Sequence, residues 1–97
     1  MAVAERRDDV AELVQSLAAH LAATEELPLE TEANRWLGEA QAVASDLVEA
    51  EVTDETLADR VETVLELLSE AEKTGHEDAD AHVAAARRAG ERILERQ

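Results

Sequence analysis

The 97 residues carry 24 Asp and Glu against nine Lys and Arg, with no Cys, no Phe, no Tyr and a single Trp, Trp36. A formal charge of −15 repels nucleic-acid phosphates and anionic membrane surfaces, and so few aromatic rings leave no platform on which bases could stack. The lack of Cys excludes disulfides and thiolate zinc sites, and the length is that of one domain, 1–97, because two separate cores would each be too small.

The first predicted helix covers about 3–25, where Val10, Leu13, Val14, Leu17 and Leu21 form one stripe, and Pro28 interrupts it. Glu12, Gln15 and His20 break the apolar stretch that follows Arg6 and Arg7. Neither a signal peptide nor a membrane span is therefore expected, and the cytoplasm is the expected compartment.

A second helix is expected over 29–51, with Leu29, Ala33, Trp36, Ala40, Val43, Leu47 and Ala50 spaced alternately by four and three. That alternation is the seam of a helix packed against bundle neighbours.

The third, 54–74, has the best-specified start. Thr53 can cap it, Asp54 and Glu55 oppose the positive end of its dipole, and Val52 and Leu57 stand at the positions of a hydrophobic staple. Its inner line continues through Val61, Val64, Leu65, Leu68 and Ala71, and Lys73-Thr74-Gly75 should end it, with Gly75 in the left-handed conformation. Leu67 widens the apolar arc and either packs inside or lies in a dimer contact, with inside packing the expected placement. Glu55, Asp59, Glu62, Glu66 and Glu70 fall together on the opposite side, where a solvated acidic face is the ordinary reading.

The fourth helix, 77–96, places Ala79, Val83, Ala86, Gly90 and Ile93 inward. Arg88, Arg92 and Arg96 follow one another at one-turn intervals on the outside, a spacing that is slightly unfavourable for like charges. They complement the negative end of the helix dipole, and they also offer a ridge that could meet the acidic ridge of a second copy or of another acidic protein.

Helices of roughly 30 Å joined by short connections must run antiparallel in succession. The expected fold is all-α, an up-down-up-down four-helix bundle.

Two constellations invite a catalytic or metal reading. In His76-Glu77-Asp78-Ala79-Asp80-Ala81-His82, Asp78 and His82, or His76 and Asp80, stand one turn apart. The Glu-x-x-His pair of di-iron bundles is missing, since Leu17, Lys73 and Ala79 precede the three His by three positions. Capping is the simpler work for these Asp, and His82 reads as an edge-of-core residue near Ile93. No metal and no cofactor is expected.

Asp59-x-x-Glu62 and Glu77-x-x-Asp80, fourteen residues apart, resemble the acidic motif pairs of the all-α nucleotide pyrophosphohydrolases. That resemblance implies four carboxylates on facing helices holding magnesium for attack of water on a phosphate. Asp59 departs from the family's pattern, which has Glu first, and the helical wheel turns Asp59 and Glu62 outward.

Composition along the whole chain, with one Lys, eight Arg, abundant Ala, Val and Thr, many carboxylates and no Cys, resembles that of proteins of halophilic archaea. Among these it is similar to short helical proteins of unknown function. The resemblance implies a molar-salt interior, in which the screening length falls to roughly 3 Å and a charge of −15 is tolerable. Together these observations predict a non-catalytic interaction or structural module adapted to high salt, with a protein partner, a homodimer first of all.

Overall fold

Four helices follow one another, α1 (Ala2–Thr24), α2 (Thr31–Glu49), α3 (Asp54–Glu70) and α4 (Glu77–Glu95), in a computed structural model that describes residues 2–71 and 74–97, with side chains from Asp9 onward. No strand occurs among the described residues. The extents are 44 × 20 × 19 Å, a rod two helices wide in each cross-direction, which is the expected four-helix bundle.

Its packing follows from the distribution of large and small residues. α1 and α3 bury mainly Leu and Val: Val14, Leu17 and Leu21 on one, Leu57, Val61, Val64 and Leu68 on the other. α2 and α4 bury mainly Ala, at positions 33, 40 and 44 and at 79, 86 and 89. Branched ridges on one helix enter shallow Ala-lined grooves on the next, so the most extensive contacts are α1 with α4 and α2 with α3. Gly90 extends the groove of α4, where an added Cβ would stand 2.9 Å from Leu65 Cδ2. Leu67 is half-buried against this core, as its position suggested.

Two local expectations are corrected, the seam of α2 and the end of α3. α2 is rotated relative to the predicted seam: Leu37 and Ala44 are buried, whereas Trp36 and Val43 lie half-buried on its flank and Ala50 is an exposed, extended C-cap. The indole is too large for a core layer otherwise built from Ala33, Ala40 and Ala44, and at the flank its face carries the Arg35 guanidinium, 5.3 Å from the ring centroid. α1 ends at Thr24, within one residue of the expected end, where the buried Thr24 hydroxyl donates to Leu21 O at 2.6 Å and the chain tightens into three-residue turns. α3 ends at Glu70 with Ala71 as its C-cap, and the Glu72-Lys73 part of its expected end lies outside the described residues.

Gly75 does adopt the left-handed conformation, φ +80°, but within the α3–α4 connection rather than directly behind a helix. Beside it the fully buried Thr74 organises this end of the bundle. Its backbone N–H donates to Asp80 Oδ1 at 3.0 Å, its hydroxyl lies 2.8 Å from the same oxygen, and its carbonyl accepts from Glu30 N–H at 3.1 Å. Glu30 is the N-cap of α2, so one residue ties the α3–α4 connection to the starts of both α2 and α4. The cap of α3 is as expected, with Thr53 Oγ1 accepting from Thr56 N–H at 3.2 Å.

Candidate functional site

The acidic ridge is present as a geometric feature. Glu55, Asp59, Glu62, Glu66 and Glu70 are all exposed on the side of α3 opposite Leu57, Val61, Val64 and Leu68. Coulomb repulsion among carboxylates at this spacing is considerable in dilute buffer and short-ranged in molar salt.

The Arg ridge has a more divided geometry. Arg88, Arg92 and Arg96 are exposed, but the ridge winds around α4 towards α1. Arg96 Nε stands 3.6 Å from Asp9 Oδ2, with both side chains substantially solvated, and Arg92 and Arg96 flank a shallow cleft whose α1 wall holds Asp9, Glu12 and Ser16. An exposed pair of this kind contributes well under about 1 kcal/mol. It leaves Arg88 and Arg92 as the outward part of the ridge. Arg87, outside the ridge, donates from Nη2 to Ser69 Oγ at 2.9 Å and bridges α4 to α3.

The carboxylates of the hydrolase-like constellation do not come together. Gly90 packs on Leu65 and Arg87 on Ser69, which sets Glu62 level with Ile93 in the antiparallel register of α3 and α4. Asp80 lies thirteen residues before Ile93, about 20 Å along the axis at ~1.5 Å per residue. Asp59 and Glu62 face solvent, Glu77 is exposed, and Asp80 uses Oδ1 to hold Thr74. A magnesium ion bound at about 2.1 Å by ligands of both pairs is incompatible with that separation. Among the described residues no three His, Asp or Glu side chains are grouped to hold a metal ion.

The histidines take separate roles. His76 is the N-cap of α4, its Nδ1 accepting from Asp78 N–H at 3.1 Å. His82 lies at the edge of the core on the α1 side of α4, where its Nδ1 meets His20 Nδ1 at 3.0 Å, with ring centroids 5.3 Å apart and planes inclined by 43°. Each ring is half-buried. The sequence carried a faint sign of this pair: His20 lies beside Leu21 and His82 beside Val83, each at the border of an apolar stripe, where a side chain points along the seam between helices.

No helix among the described residues is long and apolar enough to cross a membrane. No curated protein matches the chain, and no solved structure matches it. Residues 3–97 match a family described as a domain of unknown function (DUF8152), and with nearly the whole bundle covered, the chain belongs to that family.

Proposed function

We propose that this protein is a non-catalytic helical interaction module, adapted to a salt-rich cytoplasm of the kind found in halophilic archaea, that pairs with a second copy of itself. The observation that carries this reading is a pair of oppositely charged ridges on the outer surface. Five exposed carboxylates run the length of α3, and Arg88 and Arg92 stand exposed on α4.

A two-fold arrangement satisfies both ridges at once, because the Arg ridge of each copy faces the carboxylates of the other. Guanidinium–carboxylate contacts suit the proposed solvent. At about 3 Å of screening length the long-range repulsion between two chains of charge −15 is suppressed, while direct forked hydrogen bonds are made inside that distance.

Light scattering in molar KCl tests the proposal. The expected mass is twice the 10.5 kDa of the chain, falling to a single chain for Arg88→Glu/Arg92→Glu with helicity retained. A wild-type chain that stays single at all concentrations contradicts it.

A further inference from the structure

His20 of α1 and His82 of α4 are hydrogen-bonded through their Nδ1 atoms at 3.0 Å, each ring half-buried at the border of the core. We propose that this pair is an acid-sensitive latch between α1 and α4, closed while the two rings together carry at most one added proton and released when both become imidazolium.

The contact itself sets the limit on protons. A hydrogen bond between two Nδ1 atoms needs one N–H and one lone pair. In the neutral pair, one ring donates from Nδ1 and keeps a lone pair on Nε2, while the other accepts at Nδ1 and carries its proton on Nε2. A first added proton, taken up at Nε2 of the donating ring, leaves the bond in place and makes it charge-assisted. A second has only the accepting Nδ1 to go to. Two N–H groups then point at each other, and two positive charges stand across a single 3.0 Å contact.

The surroundings do not neutralise that second charge. On α1, Ser16 and Thr24 stand one turn to either side of His20, and neither is charged. On α4, Asp78 is exposed one turn before His82, Asp80 gives Oδ1 to Thr74, and Arg87 donates to Ser69 of α3. α2 lines the groove along Ala18, Ala19 and Ala22 with Gln41, Ser45 and, as its one ionisable group there, Glu49. The carboxylates of the α3 ridge lie on its exposed outer side. Among the described residues no third His, Asp or Glu is grouped with the two rings. Separation of the helices, which lets water solvate each imidazolium, is therefore the release.

The sign of the effect follows from proton counts. In acid the latched pair holds one proton fewer than the separated rings, so stability falls as pH falls, by up to about tenfold in the folded-to-unfolded ratio per pH unit. The window lies between about pH 7 and about pH 5, where histidine takes up its charge. Molar salt does not abolish it, because a screening length of about 3 Å is no shorter than the gap between the two nitrogens.

Urea denaturation of the full-length chain in molar KCl, followed by circular dichroism across that window, tests the latch. The parent should lose up to about tenfold more of its folded-to-unfolded ratio per pH unit than His20→Gln/His82→Gln, in which the carboxylates titrate as before and the pair is gone. Either single variant should match the double variant, since a Gln amide bonds to a charged or a neutral ring. His76→Gln, altered at the cap of α4, should keep the slope of the parent. Nitrogen NMR of the imidazoles in the parent is a readout independent of how the variants fold. The two rings should charge in two separated steps, and the second should come with faster amide exchange around His20. Equal pH dependence of the parent and the double variant, a slope lost as fully in His76→Gln, or two rings that charge together in one step with the seam closed, overturns the proposal.

Discussion

Gly90 of α4 rests on Leu65 of α3, and a methyl group at position 90 would meet the Leu65 Cδ2 atom at 2.9 Å. At Gly38, in the middle of α2, an added Cβ meets nothing within 4 Å. The two helical glycines therefore have opposite consequences. Gly38→Ala should stabilise the bundle by about 1 kcal/mol through helix propensity, raising Tm by about 4–8 °C for a chain of this size. Gly90→Val should destabilise it by about 1–3 kcal/mol, because a branched side chain must push Leu65 and Val61 aside. Thermal melts of the two variants check both signs.

The connection between α3 and α4 supplies a second prediction. Thr74 is fully buried and gives both its N–H and its hydroxyl to the Asp80 carboxylate. Thr74→Val keeps the shape and removes the hydroxyl, which should cost about 1–3 kcal/mol in urea denaturation, and Thr74→Ser should recover most of it. Equal stability of the Val variant and the parent contradicts the role assigned to Thr74.

How much of this was readable beforehand depended on whether the information was local. The cap at Thr53 and the apolar stripes of α1, α3 and α4 depend on residues within a few turns of one another, and the periods of the chain record them. The rotation of α2 did not show, because Trp36 and Leu37 fit the period almost equally well. Packing against the neighbouring helices, which the period does not record, buries Leu37 and leaves the indole half-buried at the flank. Gly75 was recognised as left-handed but misplaced, since the early end of α3 depends on the docking of Thr74 between Glu30 and Asp80. The pairing of His20 with His82, and the separation of Glu62 from Asp80, are matters of register between helices. No one-dimensional spacing contains that register.

Charge gives the third prediction. With −15 on 97 residues and five carboxylates in line on α3, repulsion opposes the compact state until salt screens it. Helicity at 222 nm and Tm should rise strongly between about 0.1 M and about 2 M KCl as the screening length falls from about 10 Å towards 3 Å or less. The rise should be smaller in Glu62→Gln/Glu66→Gln, where part of the ridge is neutral. A flat salt titration contradicts the adaptation.

The most direct measurement of the self-association claim uses two variants with inverted ridges, Arg88→Glu/Arg92→Glu and Glu62→Arg/Glu66→Arg, studied by light scattering in molar KCl. Each alone presents like charges on both surfaces and should run as a single 10.5 kDa chain, whereas an equimolar mixture should form a species of twice that mass. A mixture that stays at the single-chain mass, or either variant pairing with itself as the parent does, contradicts contact between the ridges.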